Sequence, residues 1–165
     1  MWYDISMNLN HAALFAAALM TCTSLAGEPP IVIPGVKSNA RTTPFGSGYV
    51  TRTSDGKSYT TRKFGDGWIT RGPGGETYRT SKLGDAAITR GPQGQTITTS
   101  TFGSGMISRE SNGTTTRTSP LGQSWISRGS SGASTTTSPL GSGSISRQNT
   151  KAKETGTTLV VPVKK

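Results

Sequence analysis

The feature that most constrains this chain is an uninterrupted internal repeat of 19 residues. It is marked by six glycines at constant spacing: Gly46, Gly65, Gly84, Gly103, Gly122 and Gly141. A fixed period of this length indicates one small structural unit repeated side by side, in which each unit buries its apolar groups against its neighbours. Residues 46–150 are therefore interpreted as six repeat units of low-complexity, Gly/Ser/Thr-rich sequence.

Each unit has the pattern strand, turn, strand. The first strand contains a β-branched apolar residue, then Thr or Ser, then Arg, and the second is rich in Thr and Ser and ends in Phe or Leu. Between them lies a turn cluster such as Ser54-Asp55-Gly56, which predicts a type I turn closed by a left-handed glycine. The same turn is expected at 73–75, 92–94, 111–113 and 130–132. We expect about ten to twelve short strands.

The repeated arginines favour one of two all-β architectures. They lie at Arg52, Arg71, Arg90, Arg109, Arg128 and Arg147. A parallel β-solenoid would stack them roughly 4.8 Å apart, whereas a hairpin meander would separate them by roughly 10 Å. Because like charges directly opposite each other destabilise a sheet, we predict a repetitive β-hairpin meander of six 19-residue units, with the parallel β-solenoid as the alternative. Alternation places the Val/Ile position and the arginine on one face, and the Trp/Met position with Thr or Ser on the other.

Residues 1–26 predict a secretory signal peptide. An apolar run of nine residues, 12–20, precedes Ser24 and Ala26, the small residues expected at a cleavage site, and it is too short to span a bilayer. The chain has no Lys or Arg before Lys37, and its start is compatible with Met1 or Met7. Lipid anchoring at Cys22 is an alternative that the preceding Thr21 disfavours. We expect export to the periplasm, the cell surface or the exterior of a bacterial cell.

Two segments flank the repeats. Residues 27–45 contain four prolines around Ile31-Val32-Ile33 and predict an extended linker or a single edge strand. Residues 151–165 contain the most β-prone stretch of the chain and end in Lys164-Lys165. The two segments could pair with each other or cap the ends of the repeat, since exposed sheet edges invite aggregation.

The residues argue against an enzyme. The single histidine and the single cysteine, His11 and Cys22, both fall within residues 1–26, so the exported chain would lack the groups of most nucleophilic triads and of His/Cys metal sites. The carboxylates are scattered among turns, as the repeat alone explains. The Gly-x-Gly segments are not followed by Lys-Ser/Thr, so they are interpreted as turns. We expect no catalytic residue, no cofactor and no metal.

The charge suggests a binding function. Without residues 1–26 the chain has 18 basic and 7 acidic residues, a formal charge of +11. We predict an exported, non-enzymatic β-repeat protein of the bacterial envelope or surface that binds an anionic polymer through the periodic arginine row, the polymer being a polysaccharide, lipopolysaccharide or DNA. In addition to the six arginines, Trp68 and Trp125 are candidate stacking platforms. The competing interpretation is that arginine only keeps exposed strands soluble and unpaired.

An alternative function is self-association through sheet edges into a structural or matrix subunit of the cell surface. In outline, the strand–turn–strand units over 46–150 resemble curli-type amyloid subunits, which implies stacking in a cross-β arrangement. Those subunits depend on ladders of Gln and Asn, whereas Thr, Ser and Arg occupy the corresponding positions here.

Overall fold

A computed structural model describes residues 30–36, 38–149 and 157–161. The predicted signal peptide, the candidate lipidation site Cys22 and the two terminal lysines lie outside these residues. In the part of the chain that is described, no helix has the length and apolar character needed to cross a bilayer.

The described residues form fourteen β-strands and one short 3-10 turn, Pro92–Gly94. The strands are β1 Ile31–Val36, β2 Ala40–Phe45, β3 Gly48–Thr53, β4 Ser58–Phe64, β5 Gly67–Arg71, β6 Thr77–Leu83, β7 Ala86–Arg90, β8 Thr96–Phe102, β9 Gly105–Glu110, β10 Thr115–Leu121, β11 Ser124–Gly129, β12 Ser134–Leu140, β13 Gly143–Asn149 and β14 Thr157–Val161.

Strands β2 to β13 form an antiparallel hairpin meander that closes into a barrel. The predicted all-β hairpin meander is confirmed, and the solenoid alternative is not needed. Closure is made by β13, which pairs with β2 through Ser144 opposite Thr42 and Ser146 opposite Ala40. Both β1 and β2 lie within 27–45, the segment predicted to be a linker or an edge strand. Closure leaves each barrel strand with two neighbours, which removes the exposed edges of an open sheet.

The two ends of the barrel differ in the turns that form them. At one end, the tight-turn rim, two-residue turns begin with a glycine at φ between 55° and 60°, the position that a type II′ hairpin reserves for glycine: Gly46, Gly65, Gly84, Gly103, Gly122 and Gly141. At the other end, the loop rim, Gly56, Gly75, Gly113 and Gly132 have φ between 84° and 88° and close the predicted type I turns.

The loop at 92–94 does not follow the predicted type I turn. Here Gln95 N donates to the carbonyl of Pro92, so the turn lies one residue further along the chain than in the other loops. Gln93 consequently has φ 57°, next to Gly94 at φ 76°. Two successive residues with positive φ are the pattern of a type I′ turn, which corrects the expectation for this loop.

The ribbon formed by β1 and β14 fills the lumen of the barrel. The two strands pair antiparallel, with Ile33 opposite Leu159 and Val32 opposite Val160. Both faces are buried, since Ile33 and Val160 are each 0% exposed. One face packs in a cluster with Tyr59 of β4 and Trp68 of β5, while β14 lies beside β10, β11 and β12 on the far side. A barrel of twelve strands is too wide for its own side chains to fill, and the ribbon supplies the missing core.

A belt of hydroxyl groups lines the wall inside the barrel. In each hairpin, two inward side chains on paired strands form a buried hydrogen bond of 2.8–2.9 Å: Thr42–Thr51, Thr61–Thr70, Thr80–Thr89, Thr99–Ser108, Thr118–Ser127 and Thr137–Ser146. Each pair satisfies polar groups that burial would otherwise leave without a partner. The belt gives a structural reason for the Thr or Ser that precedes every repeated arginine.

Candidate anion-binding surface

The outward-facing residues of β2 to β13, here called the outer wall, carry every arginine of the chain. The six predicted binding arginines, Arg52, Arg71, Arg90, Arg109, Arg128 and Arg147, are all exposed and repeat once per hairpin. The remaining four arginines were not among the predicted binding residues. They are also exposed, and they lie on β2, β4, β6 and β10: Arg41, Arg62, Arg79 and Arg117. The wall thus surrounds the barrel with ten guanidinium groups.

The two candidate tryptophans are not on this surface. Trp68 and Trp125 alternate with the arginines along β5 and β11, so they point inward and are 3% and 8% exposed. Trp68 packs edge-on against Tyr49, with ring centroids 5.7 Å apart, and belongs to the cluster around the ribbon. The structure therefore assigns both tryptophans to the core and separates them from the arginines.

Three pairs of arginines lie directly opposite each other on neighbouring strands. They are Arg41 with Arg52, Arg79 with Arg90, and Arg117 with Arg128. The repeated arginines of successive units are two strands apart, as expected. Arg41, Arg79 and Arg117 recur every second unit, and each lies on the strand between, directly opposite one of the repeated arginines. Paired like charges of this kind oppose folding, so a bound anion would relieve an unfavourable interaction. Arg41, Arg79 and Arg117 recur every 38 residues, and this spacing is the feature of the sequence that could have predicted the three pairs.

No carboxylate compensates this charge on the outer wall of the described barrel. Asp55 and Glu76 lie in loops at the loop rim, and Asp66 and Asp85 lie in turns at the tight-turn rim. Glu110 ends β9 on the inward side, where it accepts hydrogen bonds from Thr158 of the ribbon and from Asn112. Within the described residues, no arginine takes part in an ion pair. A surface with uncompensated cations on all sides attracts polyanions over the range of the Debye length.

The groups with shifted pKa values lie at the loop rim. Hydrogen bonds from the side chains of Thr53, Lys57 and Ser38 hold the pKa of Asp55 well below its usual range. The Lys57 Nζ atom is 3.1 Å from Asp55 Oδ2, and this contact raises the pKa of Lys57. Burial raises the pKa of Tyr59 and of Tyr78. Both members of the Asp55–Lys57 pair are thus held in their charged forms, and the pair adds no net charge beside the arginines.

Six large apolar side chains are exposed in a ring at the tight-turn rim. Each is the last residue of an even-numbered strand from β2 to β12, just before a tight turn. Their side chains are 43% to 66% exposed: Phe45, Phe64, Leu83, Phe102, Leu121 and Leu140. This apolar ring is continuous with the arginines. The guanidinium carbon of Arg79 lies 4.3 Å from the centre of the Phe64 ring, and that of Arg117 lies 4.6 Å from the centre of Phe102. Such contacts favour a cation over an aromatic face.

Comparison of the chain with models of known protein families, with characterised proteins and with solved structures found no match. Among the described residues, no three His, Cys, Asp or Glu side chains are grouped so that they could hold a metal ion. The arrangement of the outer wall is therefore the feature from which a function can be argued.

Proposed function

We propose that this chain is an exported, non-enzymatic β-barrel protein that binds an anionic polymer through the arginines of its outer wall. The observation that carries the proposal is the set of three directly opposed arginine pairs on a wall without carboxylates. Guanidinium groups bind phosphate and carboxylate oxygens with two parallel hydrogen bonds, so two adjacent arginines form a site for consecutive anionic groups.

The wall has the properties of a surface for extended, repetitive anions rather than for a compact ligand. Its arginines are distributed around the whole barrel, and the hairpin repeat presents them at regular intervals. Each anionic group that contacts an arginine releases counterions from the polymer, which supplies affinity without a defined pocket. Lipopolysaccharide, acidic polysaccharide and DNA all meet this requirement.

Self-association through sheet edges, the alternative function, is less compatible with this fold. Each of the twelve barrel strands already has a neighbour on both sides, so edge pairing between copies would require the barrel to open. Stacked copies would also bring uncompensated arginines together. We therefore favour a barrel that acts as a binding surface.

Replacing one opposed pair tests the proposal. The double variant Arg117→Gln/Arg128→Gln should weaken binding to a DNA duplex about tenfold and reduce the slope of log affinity against log salt by about 2, because two phosphate contacts are lost. Fluorescence anisotropy of a labelled duplex at several salt concentrations measures both quantities.

The matched control removes the same charge from another place. Lys164→Gln/Lys165→Gln also lowers the net charge by two, but it leaves the outer wall intact. We expect this variant to retain the wild-type slope to within about 0.5. Equal loss of affinity in the two double variants would show that net charge alone drives binding, and it would contradict a binding role for the wall.

A further inference from the structure

We infer that the preferred anionic partner is a lipid surface, which the barrel contacts with one side of its tight-turn rim. This inference rests on the proposed function and specifies its ligand. A soluble polyanion needs only the arginines, whereas the exposed apolar ring at the rim is an additional feature that such a polymer would leave in water. An anionic lipid surface offers both phosphates and an apolar layer beneath them.

The side of the rim is indicated by the turn residues. Two consecutive hairpins, β4–β5 and β6–β7, carry Asp66 and Asp85 at their tips, each preceded three residues earlier by an exposed lysine, Lys63 or Lys82. The other four, β8–β9, β10–β11, β12–β13 and β2–β3, are consecutive around the closed barrel and have uncharged tips: Ser104, Gln123, Ser142 and Ser47. We call these four hairpins the neutral arc and the other two the acidic arc. A negatively charged surface would meet a carboxylate at each tip of the acidic arc and none at the tips of the neutral arc, so the neutral arc is the more favourable side for contact.

The neutral arc combines apolar side chains at the rim with arginines farther along the same strands, where they could contact lipid phosphates. Its rim side chains are Phe102, Leu121, Leu140 and Phe45, and its outer wall carries Arg109, Arg117, Arg128, Arg147, Arg41 and Arg52. Arg117 is four residues before Leu121 on β10, about 13 Å along the strand. Its guanidinium group nevertheless lies over Phe102, so the long side chain brings the charge toward the rim. Insertion of the apolar tips by about 5–10 Å would bring the guanidinium group of Arg117 to the level of the phosphates.

Charge complementarity selects a lipid surface over a second copy of the chain. An apolar ring could also be covered by the rim of another barrel, but that contact would oppose two rings of uncompensated arginines. The acidic tips of one barrel could neutralise only a small part of this charge, since there are two of them against ten arginines. An anionic bilayer covers the same apolar side chains and neutralises the arginines at the same time.

The repeat provides a matched pair of variants for the test. Leu121, on the neutral arc, and Leu83, on the acidic arc, occupy the same position of the hairpin and are 55% and 59% exposed. We expect Leu121→Ser to weaken binding to vesicles of equal parts phosphatidylglycerol and phosphatidylcholine about tenfold, because an inserted leucine is lost. Leu83→Ser should bind within about threefold of the wild type, and both variants should bind a DNA duplex like the wild type. Cosedimentation measures the vesicle binding.

The outcomes separate this inference from the proposed function. If Leu121→Ser binds the anionic vesicles as the wild type does while DNA binding persists, the lipid inference fails and the proposed function stands. If Leu83→Ser loses as much vesicle binding as Leu121→Ser, or if pure phosphatidylcholine vesicles bind equally well, the neutral arc with its arginines is not the contact. If sedimentation of the wild type without vesicles shows a dimer that Leu121→Ser abolishes, the rim is a contact between copies. Failure to bind both DNA and anionic vesicles would overturn both proposals.

Discussion

Replacing Ile33 or Leu159 by alanine is expected to lower the free energy of unfolding by about 2–5 kcal/mol for each substitution. These residues lie opposite each other in the ribbon and are 0% and 3% exposed. The inward face of the barrel is mainly hydroxyl groups, so the ribbon supplies a large share of the apolar core. A cavity left inside the closed wall cannot collapse without moving strands that are paired on both sides. Urea unfolding measures the loss.

A matched control for the ribbon is Leu83→Ala at the tight-turn rim. Because Leu83 is largely exposed, this change should alter the free energy of unfolding by less than about 0.5 kcal/mol. The double variant Ile33→Ala/Leu159→Ala should deviate from additivity, since the two side chains share one site. A loss at Leu159 as small as that at Leu83 would mean that the ribbon does not occupy the lumen.

The hydroxyl belt leads to a second expected result, in which a double substitution is less harmful than a single one. Thr61→Val should destabilise the protein by about 1–3 kcal/mol, because it leaves the buried hydroxyl of Thr70 without its partner at 2.9 Å. Thr61→Val/Thr70→Val removes both hydroxyl groups and keeps the shape, so its free energy of unfolding should return to near that of the wild type. Thermal or urea unfolding of the three proteins measures the difference.

A control for the belt is available one residue away. Thr60 points to the outer wall and is half-buried, so Thr60→Val should change stability by less than about 0.5 kcal/mol. If the double variant instead showed the sum of two independent losses, each hydroxyl would be bonded to another partner. The belt would then not consist of six reciprocal pairs.

The repeat made the hairpins predictable, but it did not show where they begin. The glycines and the turn clusters mark every hairpin from Gly46 onward. The prolines of 27–45 favoured a linker, yet 40–45 reads Ala-Arg-Thr-Thr-Pro-Phe and resembles 116–121, Thr-Arg-Thr-Ser-Pro-Leu. Pro44 occupies the same repeat position as Pro120 and Pro139, both within strands. Aligning from the second strand of each repeat unit would have placed β2 in the sheet.

Closure and the filled lumen depend on properties that a local pattern does not contain. Whether a meander of twelve strands closes is decided by strand tilt and stagger, which arise from the whole sheet. The apolar runs around Val32 and Val160 predicted that these segments could pair, but only the diameter of the closed barrel places them inside. The alternation along the strands already indicated that Trp68 and Trp125 lie on the face of the sheet opposite the arginines. Closure of the barrel makes that face the buried core.

The most direct test of the account is the salt dependence of polyanion binding by the protein expressed from its full sequence and purified after export. Titration of a DNA duplex between about 50 and 200 mM salt should give a straight line of log affinity against log salt with a slope of about −4 or steeper, because several arginines on one side of the barrel contact phosphates together. Binding that is absent at the lowest salt, or a slope near zero, would contradict the central claim that the outer wall is an anion-binding surface.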